Sequence, residues 1–182
     1  LVESSSAKHE GYTSPNHKLT NRIDHIFEDS NERIIISSYA QNVFRTKEII
    51  ELTKKYKRQI VFYGRDKYDN TNSLLRIGKK SKEPIIDVPD SLLGQKENIG
   101  KPQYDSNYVI LLSGSPRRIY HDICDIIDGG DDLLKLRKGD TFIVASPVLP
   151  GTEKIANKAH NGLYKTDAHV YLLKNKDLFS MH

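Results

Sequence analysis

Short apolar runs alternate with segments of helical periodicity along most of this sequence, and this alternation limits the possible folds most strongly. The apolar runs predict strands over residues 33–39, 59–63, 108–112, 141–145 and 168–173. Several are apolar at nearly every position, which is typical of strands buried on both faces of a sheet. Because parallel neighbours need long crossover connections, the intervening segments favour helices. The sequence therefore predicts an α/β fold in which helices flank a mainly parallel sheet of roughly five strands.

The segments between the strands carry helical spacing and helix-start signals. Ser14-Pro15 resembles a cap followed by a first-turn proline, and apolar residues then recur on one helix face. Further helices are predicted over 42–57, through Leu74 to Ile77, over 116–127 and over about 152–164. The stretch from Pro84 to Pro102 lacks either periodicity and predicts irregular structure.

The composition is that of a globular domain. Of the 182 residues, 37% are hydrophobic and 29% charged, and no apolar run approaches the roughly 20 residues that span a bilayer. We therefore expect no membrane association. The single cysteine, Cys124, excludes an internal disulfide and favours a reducing, cytoplasmic location. Its isoleucine neighbours predict that it is a buried core thiol.

The carboxyl ends of the predicted strands carry small, hydroxylated residues. These ends are Ser37-Ser38, Gly64-Arg65, Ser113-Gly114-Ser115 and Ser146-Pro147. Ligands of parallel sheets gather at this edge, where backbone N–H groups and helix N-termini can approach a phosphate. The alternative is that serine, glycine and proline simply make good turns. The net charge of +4 permits an anionic partner without requiring one.

Motifs for a self-contained catalytic or metal site are missing from the sequence. There is no Walker A, G-x-G-x-x-G or G-x-S-x-G pattern, and none of the 7 histidines lies in an H-x-H-x-D-H or H-E-x-x-H arrangement. We therefore expect no zinc site built from this chain alone.

An ordered series of segments resembles the β-CASP domain of RNase J-type nucleases. Leu1 to Ala7 is similar to the motif A strand, and Tyr39 to Arg45 resembles F-A-S-N-I-H-R. Leu112 to Ser115 resembles T-T-G-S, Ala145 to Glu153 resembles A-S-P-I-P-G-N-E, and Ser180 to His182 resembles the S-G-H of motif B. The order holds from end to end of the chain.

The resemblance implies a Rossmann- or flavodoxin-like three-layer domain that is inserted into a metallo-β-lactamase fold. Residues 1–182 would form a single β-CASP domain, with 1–15 and 174–182 at its junctions with the lactamase domain. Both ends of the chain are apolar rather than polar and frayed, which favours a fragment of a larger protein. The lactamase domain would bind zinc outside this chain, so the fragment alone would be inactive. The parent protein could form a homo-oligomer.

The resemblance also implies functional residues. Glu3 and His182 would face each other near the scissile phosphate, where the imidazole could protonate the leaving oxygen. The partner would be single-stranded RNA. Its phosphates would be bound by Ser38, Asn42, Arg45, Arg65, Ser113, Gly114, Ser115, Arg117, Arg118 and Ser180.

Several positions depart from the family pattern. Phe44, Asp132 and Leu178 stand where the family has histidines, and Pro116-Arg117-Arg118 replaces the Q-G-E of its G-S-Q-G-E loop. An alternative is therefore a non-catalytic RNA-binding or assembly domain of a diverged paralogue. A free-standing flavodoxin-like module for a small ligand is a third reading, which the apolar ends disfavour.

Overall fold

A computed structural model describes residues 21–64, 86 and 88–173 of the chain, and these contain the predicted parallel sheet. The strands are β1 (Ile34–Tyr39), β2 (Gln59–Tyr63), β3 (Tyr108–Gly114), β4 (Thr141–Val144) and β5 (His169–Leu172). Their order in the sheet is β2-β3-β1-β4-β5, and every neighbouring pair is parallel. The predicted α/β fold is confirmed.

The helices follow the strands as the sequence predicts. They are α1 (Asn21–Asp29), α2 (Val43–Lys55), α3 (Pro102–Asp105), α4 (Pro116–Ile127) and α5 (Glu153–Leu163). The irregular stretch holds two 3-10 turns, Asp90–Leu92 and Lys96–Asn98, and ends in the short α3, which was not predicted from the sequence. The first residues of the helix from Ser14 and the helix from Leu74 to Ile77 lie outside the described residues. No helix in the described ranges is both long and apolar enough to cross a membrane.

The sheet is buried between two helical layers. Alternate residues of each strand face opposite sides, so Ile34 and Ile36 of β1 pack with α1 and α2 while Ile35 packs with α4 and α5. Cys124 belongs to α4 and is buried in this layer, as predicted. Both faces are apolar, which explains why the strands read as continuous apolar runs.

A charged network closes the amino-terminal end of the sheet. Arg33, directly before β1, is fully buried, and its Nε and Nη2 each lie 2.8 Å from a carboxylate oxygen of Asp140. Its Nη1 donates to Asp105 at 3.0 Å, and Arg137 donates to the other oxygen of Asp105 at 2.9 Å. The Gly100 N–H also donates to Asp105, at 2.8 Å. These bonds tie together the starts of β1, β3 and β4.

Candidate nucleic-acid interface

The carboxyl end of β1 lies where the chain leaves the sheet in two directions. The chain passes from β1 to α2 on one face, whereas it passes from β3 and β4 to α4 and α5 on the other. The carboxyl ends of strands at such a divergence are the usual ligand position in open α/β sheets. We call residues 37–42, 113–117 and 145–152, which lie at or just after the carboxyl ends of β1, β3 and β4, the strand-end rim.

Two predicted site residues, Ser38 and Ser113, are neighbours on the α2 side of the sheet. They are register partners in the β1–β3 ladder, and both are almost completely buried. Among the described residues, Ser38 Oγ has no hydrogen-bond partner. A buried hydroxyl without a partner costs about 1–3 kcal/mol, so this atom is a candidate for contact with a ligand.

On the opposite side of the rim, hydroxyl groups that were not among the predicted site residues form hydrogen bonds. The Oγ atoms of Ser37 and Ser146 lie 3.0 Å apart, and Tyr120 OH donates to the Ser146 carbonyl at 2.9 Å. Tyr39 OH donates to the Pro147 carbonyl. Burial raises the pKa of Tyr39 to about 12 and also raises the pKa of Tyr120, so both phenols remain neutral donors. These bonds fix the loop after β4 against the end of β1.

The loops after β1 and β3 are joined by their backbones. The Ala40 N–H donates to the Gly114 carbonyl at 3.1 Å, which extends the ladder by one residue. The Asn42 side chain accepts from the Arg45 N–H at 3.0 Å and caps α2, so the predicted RNA contact also has a structural role. Ser115 precedes α4, and its side chain makes no capping hydrogen bond.

The arginines predicted at this edge have different environments. Arg45 is only 2% exposed, lies 3.6 Å from Glu48, and burial lowers its pKa to about 10. Arg45 is therefore buried, and its contact with RNA stays a prediction. Arg118 donates through Nε to buried Asp122 at 2.9 Å. Arg117 is exposed and forms no ion pair within the described part of the chain, so it is the one of these three best placed to meet a phosphate.

Other predicted site residues are not placed. Glu3, Arg65, Ser180 and His182 lie outside the described residues. Within the described ranges, no group of three or more His, Cys, Asp or Glu side chains could hold a metal ion.

Comparison with known proteins identifies the family. The family model described as Ribonuclease J, beta-CASP domain, matches residues 31–163. Ribonuclease J of Thermus thermophilus is 24% identical over 93% of this chain and 28% of its own length. Ribonuclease J of Mycoplasma genitalium and Ribonuclease J2 of Bacillus subtilis are each 26% identical over 100% of this chain, which covers 30% and 32% of their lengths. The chain thus spans less than a third of these relatives. It belongs to the Ribonuclease J β-CASP domain family.

Proposed function

We propose that this chain is the RNA-binding part of a metal-dependent ribonuclease of the RNase J type. The main support is the buried, unpartnered Ser38 Oγ at the strand-end rim of a domain whose relatives are named Ribonuclease J. In this proposal the strand-end rim holds the backbone of single-stranded RNA beside a metal centre on the metallo-β-lactamase domain of the same polypeptide. The parent protein is the phosphodiester hydrolase, and this chain alone is inactive.

The rim suits a phosphate because it combines hydroxyl donors, a helix N-terminus and an exposed cation. Ser38 offers a hydroxyl that lacks a partner in the described structure. The start of α4 offers first-turn N–H groups and the positive end of the helix dipole, since Ser115 does not cap it with its side chain. Arg117 adds a charge that pairs well with phosphate. Such contacts carry no base information, so the proposed binding tolerates different sequences.

The catalytic part of the proposal rests on the resemblance of the chain ends to motifs A and B. Glu3 would orient His182, which would protonate the leaving oxygen. The described residues do not provide a metal-ligand set, so we assign zinc to the parent protein outside this chain. Elemental analysis of the tag-free 182-residue chain should therefore find far less than one zinc per molecule, and a stoichiometric amount would contradict this assignment.

Titration of labelled single-stranded RNA at two salt concentrations tests the rim. We expect a dissociation constant of roughly micromolar or weaker at physiological salt, which weakens steeply as salt rises. Arg117→Ala should weaken binding of all sequences about equally and lower the salt slope by about 1. Arg118→Ala should have a smaller effect because Asp122 already holds that guanidinium.

Lys165→Ala is the matched control, because this exposed lysine follows α5 at the opposite end of the sheet. It should leave the affinity unchanged. Equal affinities for the wild type and Arg117→Ala would remove Arg117 from the interface. Binding that does not depend on salt would refute a phosphate-binding rim.

A second candidate function is non-catalytic RNA binding or assembly in a diverged paralogue. It is favoured by Phe44 and Asp132, which stand where the family pattern has histidines. Cleavage of RNA by the parent protein, abolished by a chelator and restored by zinc, would support the nuclease. A parent protein that binds RNA without cleaving it and lacks the H-x-H-x-D-H motif would support the alternative.

A further inference from the structure

We propose that Phe44 is a stacking platform for a nucleobase of the RNA whose backbone lies on the strand-end rim. The inference rests on the proposed function and deepens it, because it assigns a contact with a base to a rim that otherwise binds phosphates.

Phe44 is largely exposed, whereas phenylalanine side chains are usually buried. Phe44 is 63% exposed, whereas the next residue, Arg45, is 2% exposed. Burying a phenylalanine side chain typically stabilises a protein by about 1.5–3 kcal/mol, and arginine is rarely fully buried. The start of α2 therefore buries its charged side chain and leaves most of the Phe44 side chain exposed.

The backbone places Phe44 directly after the strand-end rim. The Asn42 N–H donates to the Tyr39 carbonyl at 2.9 Å, and the Val43 N–H donates to Gln41 at 3.0 Å. These bonds make a tight turn from the end of β1 into α2, and Phe44 lies in the first turn of that helix. Phe44 therefore lies at the same end of the sheet as the proposed phosphate contacts.

The chemistry of an exposed phenylalanine points to stacking on a base. Its ring has no hydrogen-bond donor for a phosphate, but it can stack on the π-face of any base. Single-stranded nucleic-acid sites commonly combine such rings with a positively charged path for the backbone. A single ring beside phosphate contacts would add affinity without adding strong sequence preference.

Substitutions at Phe44 test this inference in the 182-residue chain. Stacking contributes about 1–3 kcal/mol per base, so Phe44→Ala should weaken binding of a single-stranded adenosine 12-mer by about 5-fold to 150-fold. Phe44→Tyr should retain most of the affinity, whereas Phe44→Leu, which is apolar but cannot stack, should lose it. Tyr164→Ala is the matched control, since Tyr164 is 62% exposed and lies after α5 at the opposite end of the sheet.

Fluorescence gives a direct readout because the chain contains no tryptophan. Phe44→Trp introduces a single reporter whose emission should be quenched as the adenosine 12-mer binds. The emission of Tyr164→Trp should not change, and inorganic phosphate should quench neither variant. Thermal unfolding followed by circular dichroism should show that all variants keep the wild-type fold.

The outcomes separate this inference from the proposed function. If the wild type does not bind the RNA, the proposed function fails. If the wild type binds and Arg117→Ala weakens binding, but Phe44→Ala binds normally or Phe44→Trp is not quenched, the stacking role alone is refuted. Quenching together with the ordered loss from tyrosine to leucine and alanine would support it.

Discussion

A buried polar side chain at each end of the central sheet differs in its hydrogen bonding. At the amino-terminal end, the Arg33 guanidinium donates hydrogen bonds to Asp105, to Asp140 and to the Lys135 carbonyl. At the carboxyl end, Ser38 Oγ is equally buried but has no partner within the described structure. All three guanidinium nitrogens of Arg33 are hydrogen-bonded and stabilise the fold, whereas the hydroxyl of Ser38 at the other end is unsatisfied.

Because of this difference, we expect one end of the strands to contribute mainly to stability and the other mainly to ligand binding. Buried charges are tolerated when they are paired and hydrogen-bonded, and removal of one partner is costly. A buried hydroxyl without a partner lowers stability in the free protein, and a ligand that supplies the missing bond recovers this energy. Substitutions at the two ends should therefore have different consequences for unfolding and for RNA binding.

The largest effect is expected from Arg33→Met. Removing the guanidinium leaves the buried carboxylates of Asp105 and Asp140 without their main counter-charge, which typically costs about 3–5 kcal/mol. Urea unfolding of the wild type and the variant measures the loss. Arg117→Met is the control, since exposed surface substitutions usually stay within about 0.5 kcal/mol. A loss below about 1 kcal/mol for Arg33→Met would show that the two ends differ less in stability than the structure implies.

The sequence predicted the strands well and this network not at all. Each strand was placed to within one or two residues, and α4 was predicted with its observed bounds of 116–127, because apolar runs and helix-start signals are local. The burial of Arg33 and Arg45 depends on which chain segments meet in the fold, and charged residues ordinarily indicate a surface.

The sequence predicted where the rim lies in the chain, but not which of its side chains contact one another. Alternation along β1 was sufficient to place Ser37 and Ser38 on opposite faces of the sheet. The pairing of Ser38 with Ser113, and of Ser37 with Ser146, depends on the strand order, which local patterns do not contain. Tyr120 was likewise missed because its contact with the Ser146 carbonyl joins α4 to a distant loop.

A smaller effect is expected from Ser37→Ala. This change removes the hydroxyl that lies 3.0 Å from Ser146 Oγ and leaves that buried group with one partner fewer. A typical hydrogen bond contributes about 0.5–1.5 kcal/mol, so urea unfolding should show a loss in this range. An unchanged free energy of unfolding would mean that the hydroxyl pair does not hold the rim.

The pH dependence of stability should be sensitive to His160. His160 packs edge-on against Tyr120 with ring centroids 5.7 Å apart, and burial lowers its pKa from the ordinary value of 6.5. The unfolded chain therefore binds a proton more readily than the folded protein, so this contribution is full above pH 6.5 and is lost as the pH falls through the lowered pKa.

His160→Gln should flatten the decline of stability below pH 6.5, as measured by thermal unfolding across a pH series. His121→Gln, at an exposed position on α4, is the control. If both variants keep the wild-type slope, proton uptake by His160 does not contribute to the acid sensitivity of the helical layer behind the rim.

Ser38→Ala should have the smallest effect on stability and tests the comparison most directly. Since Ser38 Oγ has no partner in the described structure, its removal should leave the free energy of unfolding unchanged or raise it by up to about 1 kcal/mol. Hydrogen bonds to charged groups contribute about 1.5–3 kcal/mol, so RNA affinity should fall by about 10-fold to 150-fold. Ser37→Ala, one residue away on the opposite face, should show the reverse pattern, with lower stability and nearly normal affinity. Loss of stability in Ser38→Ala would mean that this hydroxyl is satisfied within the protein, and the contrast between the two ends of the sheet would then no longer locate the binding site.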